Sequence, residues 1–89
     1  MQQQDIVISN RLGLHARAAA KLVQLLQDFR ASVWLLHHGR EINAKSIMGV
    51  MMLAAGQGSV LTVRADGDDA GAALAAVIDL FDRKFDEGA

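Results

Sequence analysis

Eighty-nine residues with 52% hydrophobic content and mean hydropathy +0.20 suffice for one core and no second domain, so residues 1–89 are expected to form a single domain. The absence of cysteine excludes disulfides and thiolate metal sites. A net charge of −1 conceals an uneven spread: six Lys/Arg stand against three Asp/Glu in residues 1–50, and three against seven in residues 51–89, so the first half should attract phosphate or acidic surfaces.

In chain order, Asp5 to Asn10 alternates like a strand with Ile6 and Ile8 on one face, and Asn10-Arg11-Leu12-Gly13 breaks the pattern. A helix is predicted from Ala16, with Ala19, Leu22, Val23 and Leu26 facing the core and Arg17, Lys21, Gln24 and Asp28 on the other side. Ser32–His37 and Arg40–Asn43 read as strands around a His38-Gly39 hairpin turn. Ser46 is a candidate N-cap for a short apolar helix, Ser59–Ala65 a further strand, and Asp66-Gly67-Asp68-Asp69 leads into a last helix. The buried stripe of that helix is predicted at Leu74, Val77, Leu80 or Phe81, and Phe85. Such a βαββαβα order is best accommodated as an α+β fold, a four-stranded antiparallel sheet with three helices on one face.

The chemistry centres on Gly13-Leu14-His15-Ala16-Arg17-Ala18. A histidine at the junction of a glycine-containing turn and a helix faces the unpaired first-turn N–H groups and the positive end of the helix dipole. An anion is stabilised there without a metal. A neutral imidazole nitrogen is nucleophilic near pH 7, and once phosphorylated it remains reactive enough to pass the group on. Arg17 supplies a planar fork of donors for phosphate oxygens. The plainer reading is a histidine beside a helix start with an arginine in solvent.

A second segment, Ser46 to Val63, has no charged residue, and Ile47 to Ala55 is apolar at every helical phase. A helix without a polar face is either fully buried or a contact surface, and full burial is hard to achieve in so small a domain. Met48 and Met51, three apart, share a face that Met52 flanks. Flexible methionines suit a surface that fits more than one partner.

Gly-Leu-His-Ala-Arg at 13–17 and Asn-Ala-Lys-Ser-Ile-Met-Gly-Val-Met at 43–51 together resemble the HPr family, the small histidine-phosphorylated carriers of the bacterial phosphoenolpyruvate-dependent phosphotransferase system. The family usually has proline where this chain has Ala18. The Ala-Arg-Ala-Ala-Ala-Lys run and the ending Phe85-Asp86-Glu87 look more like its nitrogen-related branch, often called NPr, than the sugar-transport branch. The resemblance implies an open-faced β-sandwich and a phosphocarrier in which His15 takes a phosphoryl group from an enzyme I-type donor and gives it to a IIA-type acceptor. On that expectation Arg17 and the amides of Ala16, Arg17 and Ala18 hold the phosphate, while Lys21, Gln24, Ile47, Met48, Met51 and Met52 dock partners. Ser46 matches the serine that a regulatory kinase modifies in relatives, and a phosphate there would add charge beside the methionine face. The carrier would be stoichiometric rather than an enzyme, monomeric and without a cofactor or metal.

Other classes of function follow from the same residues. A histidine-dependent phosphohydrolase would need a general acid near the leaving oxygen, and no carboxylate lies between Asp5 and Asp28. A protein-binding regulator would use the Met48 and Met51 face without chemistry at His15. Adjacent His37 and His38 should point to opposite faces of a strand and cannot easily share an ion. Trp34 and Leu36, pointing outward with Val7 and Thr62 nearby, offer a second apolar contact surface. Nucleic acid is not expected, there being no dense basic run and only 4% aromatic content. The opening Met-Gln-Gln-Gln-Asp lacks the basic start and apolar run of a signal peptide, and Gly49, Gly56, Gln57 and Gly58 interrupt the longest uncharged stretch. A cytoplasmic protein without membrane insertion is therefore expected.

Overall fold

In the computed structural model, which describes residues 1–88, the elements run β1 (Gln2–Val7), α1 (Ala16–Leu26), β2 (Ser32–His37), β3 (Arg40–Asn43), α2 (Ile47–Met52), β4 (Val60–Asp66) and α3 (Ala70–Asp82). The four strands form one antiparallel sheet in the order β1-β4-β2-β3. The fold is the predicted open sheet with three helices. Val33 and Leu35 of β2, Leu61, Val63 and Ala65 of β4, and Ile6 of β1 are buried, as the period of two requires. Against them lie Ala18, Ala19, Leu22 and Leu26 of α1, and Ala73, Leu74, Val77, Leu80 and Phe81 of α3. Val23, predicted in the core stripe, is only partly buried; Ala18 takes the inward position instead.

Two boundaries differ from the sequence reading. β1 begins at Gln2 rather than Asp5 and ends at Val7, because Gln2 to Val7 pair in register with Ala65 to Val60. Backbone pairing along an edge tolerates the three glutamines, which hydrophobic alternation could not reveal. Ile8 still bonds β4's approach, accepting from Gly58 N at 2.8 Å and donating to Ser59 O at 2.9 Å. At the other end, Phe85 is fully buried as predicted, yet α3 stops at Asp82. Lys84, Phe85 and Asp86 follow with φ of +55°, +55° and +60°, a left-handed turn that L side chains adopt at a cost of about 1–2 kcal/mol each. Burial of the Phe85 ring, edge-on to Phe81 with centroids 4.7 Å apart, and a 2.6 Å bond from Lys21 Nζ to the Phe85 carbonyl oppose that cost.

The outward face of the sheet is less apolar than predicted. Trp34 and Leu36 are half-buried, and the row between them and β1 is polar: Thr62 Oγ1 donates to Asp5 at 2.7 Å, while Arg64 reaches Gln3 and Glu41, both at 3.3 Å. Only Val7 and Val60, paired across β1 and β4, remain strongly exposed apolar residues there. His37 and His38 do not diverge as strand neighbours should. His38 leaves the strand with φ +50°, which sets the two rings edge to face with centroids 4.0 Å apart, and His37 Nδ1 lies 3.3 Å from the Val60 carbonyl. Among the described residues no group of three His, Cys, Asp or Glu side chains could hold a metal ion, and no helix is long and apolar enough to cross a membrane.

Candidate functional site

Three separated segments meet at His15. The first is the turn Asn10–Gly13, closed by a 3.2 Å bond from Gly13 N to Asn10 O. Gly13 has φ +65°, and a Cβ there would stand 2.6 Å from the Ala55 carbonyl oxygen and 2.7 Å from Gly56 Cα. Glycine is therefore required by both the left-handed conformation and the close approach. Leu14 N donates to the Ala55 carbonyl at 3.0 Å, so residues 55–56, just after α2, form the second wall.

His15 itself is the N-cap of α1, in extended conformation (φ −77°, ψ 177°), and its carbonyl accepts the first helical bond from Ala19 N at 2.9 Å. Its ring makes no cap bond to the first turn. The N–H groups of Ala16, Arg17 and Ala18 consequently open the helix without intrahelical acceptors. Arg17 is exposed and forms neither a hydrogen bond nor an ion pair among the described residues. Ala18 is wholly buried, methyl and backbone alike, whereas Ala16 and Arg17 are exposed.

The third segment is the chain end. The left-handed turn after α3 brings Glu87 onto the His15 ring, where Oε2 contacts Nε2. The other oxygen, Oε1, accepts from Asn10 Nδ2 at 3.0 Å, and the same nitrogen donates to the Gly13 carbonyl at 2.8 Å. Asn10 is wholly buried, and its Oδ1 has no partner among the described residues. Glu87 is 9% exposed at its side chain against 27% for His15. Desolvation pushes the Glu87 carboxyl up, but hydrogen bonds from His15 and Asn10, with the charges of His15 and Lys21, outweigh it and hold the group below its ordinary 4.5. No carboxylate lies between Asp5 and Asp28 in the chain, yet the fold brings Glu87, 72 residues away, onto His15. No local signal marks this contact; Asn10 reads simply as a turn former.

The apolar segment divides cleanly. α2 ends at Met52, short of the Ala55 limit of the apolar run. Val50, Leu53 and Ala55 are buried, whereas Met48 is 75% and Met51 43% exposed, and Ile47 and Met52 are exposed too. Leu12 is another exposed apolar side chain, in the turn that packs on residues 55–56. Ser46 caps α2 as predicted, Oγ accepting from Gly49 N at 3.1 Å. Gln24 is exposed on α1, but Lys21 is half-buried with its ammonium committed to the Phe85 carbonyl, so it braces the terminal turn rather than presenting a free charge.

Comparison with known proteins bears on this arrangement. A family model described as "PTS HPr component phosphorylation site" matches residues 2–83. The phosphocarrier protein HPr of Xylella fastidiosa (strain 9a5c) is 52% identical over 87 residues, covering 98% of each chain. The phosphocarrier protein NPr of Shewanella violacea is 42% identical over 85 residues, covering 96% of this chain and 93% of that one. Similar relatives thus carry both branch names. In shape, the crystal structure of HPr from Thermoanaerobacter tengcongensis superposes with a TM-score of 0.94 at 44% identity, covering 98% of both chains.

Proposed function

Because the chain belongs to the HPr family of phosphocarriers of the phosphotransferase system, we propose that His15 is its phosphoryl acceptor, charged by an enzyme I-type donor and discharged to a IIA-type protein of the sugar-transport or nitrogen-regulatory branch. One observation carries this reading: the His15 ring stands at the start of α1 without capping it, leaving the first-turn amides open. A phosphoryl group on that ring meets N–H donors and the positive helix end. Arg17, exposed and without an ion-pair partner among the described residues, adds a movable cation for the transition state, where phosphoryl transfer depends on positioning and charge stabilisation.

The exposed Ile47, Met48, Met51 and Met52 of α2, together with the exposed Gln24 of α1, form the docking surface in this proposal, and phosphorylation of Ser46 by a serine kinase would set negative charge at its edge without abolishing the cap. Monomeric action in the cytoplasm, with no cofactor, completes the proposal. The protein acts stoichiometrically. A hydrolase is disfavoured because Glu87, the carboxylate that reaches His15, has both oxygens engaged, one by the ring and one by Asn10, rather than free for general acid–base work.

Incubation with radiolabelled phosphoenolpyruvate and enzyme I tests the reading. Acid-labile label should accumulate to one equivalent, vanish in His15→Ala, and move to a IIA protein. Arg17→Ala should slow transfer about 10- to 1000-fold, in the range for loss of one charge-stabilising donor. Steady release of free phosphate would indicate a hydrolase, and unlabelled protein that still binds enzyme I would indicate a regulator that works by binding alone.

A further inference from the structure

We propose that Glu87 and Asn10 are positioning residues for phosphoryl acceptance: together they fix the proton of His15 on Nε2 and so leave the Nδ1 lone pair as nucleophile. The inference rests on the carrier reading and assigns a task to two residues that it does not use.

Both hydrogens of the Asn10 amide are spent on acceptors, one on the Gly13 carbonyl at 2.8 Å and one on Glu87 Oε1 at 3.0 Å. Turning that amide over would set its oxygen against two other oxygens, so its orientation is fixed even though Oδ1 lies buried without a partner among the described residues. With Oε1 held, Glu87 offers Oε2 to the ring. An ionised carboxylate only accepts, so the hydrogen between them belongs to His15 Nε2. A neutral imidazole protonated there has its lone pair on Nδ1, which makes no hydrogen bond among the described residues.

When Nδ1 attacks the phosphorus of a phosphohistidine on the donor protein, the new N–P bond forms as the donor's N–P bond breaks, and that electron pair returns to the donor imidazole. His15 keeps its Nε2 proton and acquires positive charge, which faces the Glu87 carboxylate. No proton need move in either direction of transfer. The left-handed conformation of Lys84, Phe85 and Asp86 is consistent with such a task, as strained backbone concentrates where a structure must hold a group in place.

The decisive variant is Glu87→Gln. It preserves shape, but Asn10 demands an acceptor, so the glutamine oxygen stays with Asn10 and the glutamine NH2 turns to His15. That NH2 must donate, and the ring answers by moving its proton to Nδ1. Acceptance from phosphorylated enzyme I, read as kcat/KM, should fall about 10,000-fold, as expected for a histidine forced into the wrong tautomer. Glu87→Ala, which imposes no tautomer, should lose only about 10-fold, in line with removing a group that orients a functional histidine. Adding Asn10→Ala to Glu87→Gln should restore the rate toward that of Glu87→Ala, because the amide is free to rotate.

Long-range 1H–15N spectra of the unphosphorylated proteins give a readout that folding defects do not mimic: Nε2–H in the parent, Nδ1–H in Glu87→Gln, a mixture in Glu87→Ala and in Asn10→Ala. A Glu87→Gln protein that keeps Nε2–H, or accepts phosphoryl as fast as the parent, overturns the proposal. Should Glu87→Gln fail to fold, the single Asn10→Ala and Glu87→Ala spectra decide it, an unchanged tautomer in both counting against the clasp. If the parent takes no phosphoryl group from enzyme I, the carrier reading fails, while the spectra still decide whether Glu87 sets the tautomer.

Discussion

Gly13 shows how much a single position contributes to the site. Its φ of +65° and its approach to Ala55 and Gly56 leave no room for a Cβ, so Gly13→Ala should destabilise the fold by more than about 1 kcal/mol, the range for a residue incompatible with its backbone. It should also disturb His15, two residues on. Urea denaturation checks the first effect, and a stability equal to that of the parent would mean that the turn relaxes without cost. At this scale the sequence was partly legible. His15, Arg17 and Ser46 carry their chemistry in their immediate neighbours, and the structure sets the first two at a helix start and the third at a cap. Asn10 and Glu87 have no such neighbours. They acquire meaning only because a left-handed turn of non-glycine residues, for which no propensity signal exists, folds the chain end back onto the first turn.

Among the elements, α2 is the most instructive. Six residues without a polar side chain cannot declare from sequence which side is covered; packing against α1 and β3 decides it, burying Val50 and leaving the methionines out. Met48→Asp and Met51→Asp should therefore alter the melting temperature by no more than about 2–4 °C while weakening enzyme I binding, since an acidic residue placed in a core would instead cost several kcal/mol. Ser46→Asp should act in the same direction, because aspartate is also a good N-cap and α2 would persist. Calorimetric melting beside an enzyme I titration separates the cases: large stability losses with unaltered affinity would show that the methionines serve packing. The edges of elements were harder to read than their existence. β1 extends back over three glutamines through backbone pairing alone, and α3 hands Phe85 to a turn that keeps it buried without keeping it helical.

The whole molecule ties its second half to its first through two carboxylates. Asp69 accepts from Arg30 N at 2.9 Å and Ala31 N at 2.7 Å, and these bonds, the Arg30 one foremost, prevail over desolvation to hold its carboxyl below the ordinary 3.8. Glu87 likewise lies below 4.5. A carboxyl whose folded value is depressed stabilises the fold above its unfolded value, and that contribution drains away as pH falls through the folded one. Stability should thus hold from neutrality down to about pH 4.5 and decline below, with a shallower decline in Glu87→Ala and Asp69→Ala. Urea midpoints measured from pH 7 to pH 3 would show it, and parallel curves for the parent and both variants would remove these groups from the acid response.

The uneven charge legible in the sequence also takes spatial form here, since the acidic C-terminal segment that lowers the net charge places one of its carboxylates against the basic His15 end. The central claim is that this end carries a phosphoryl group on one ring nitrogen. A 31P and long-range 1H–15N spectrum of protein phosphorylated by phosphoenolpyruvate and enzyme I tests it most directly. The account predicts a single phosphoramidate on His15 Nδ1 with Nε2 still protonated and facing Glu87; a phosphoryl group on Nε2, on another side chain, or on none would contradict it.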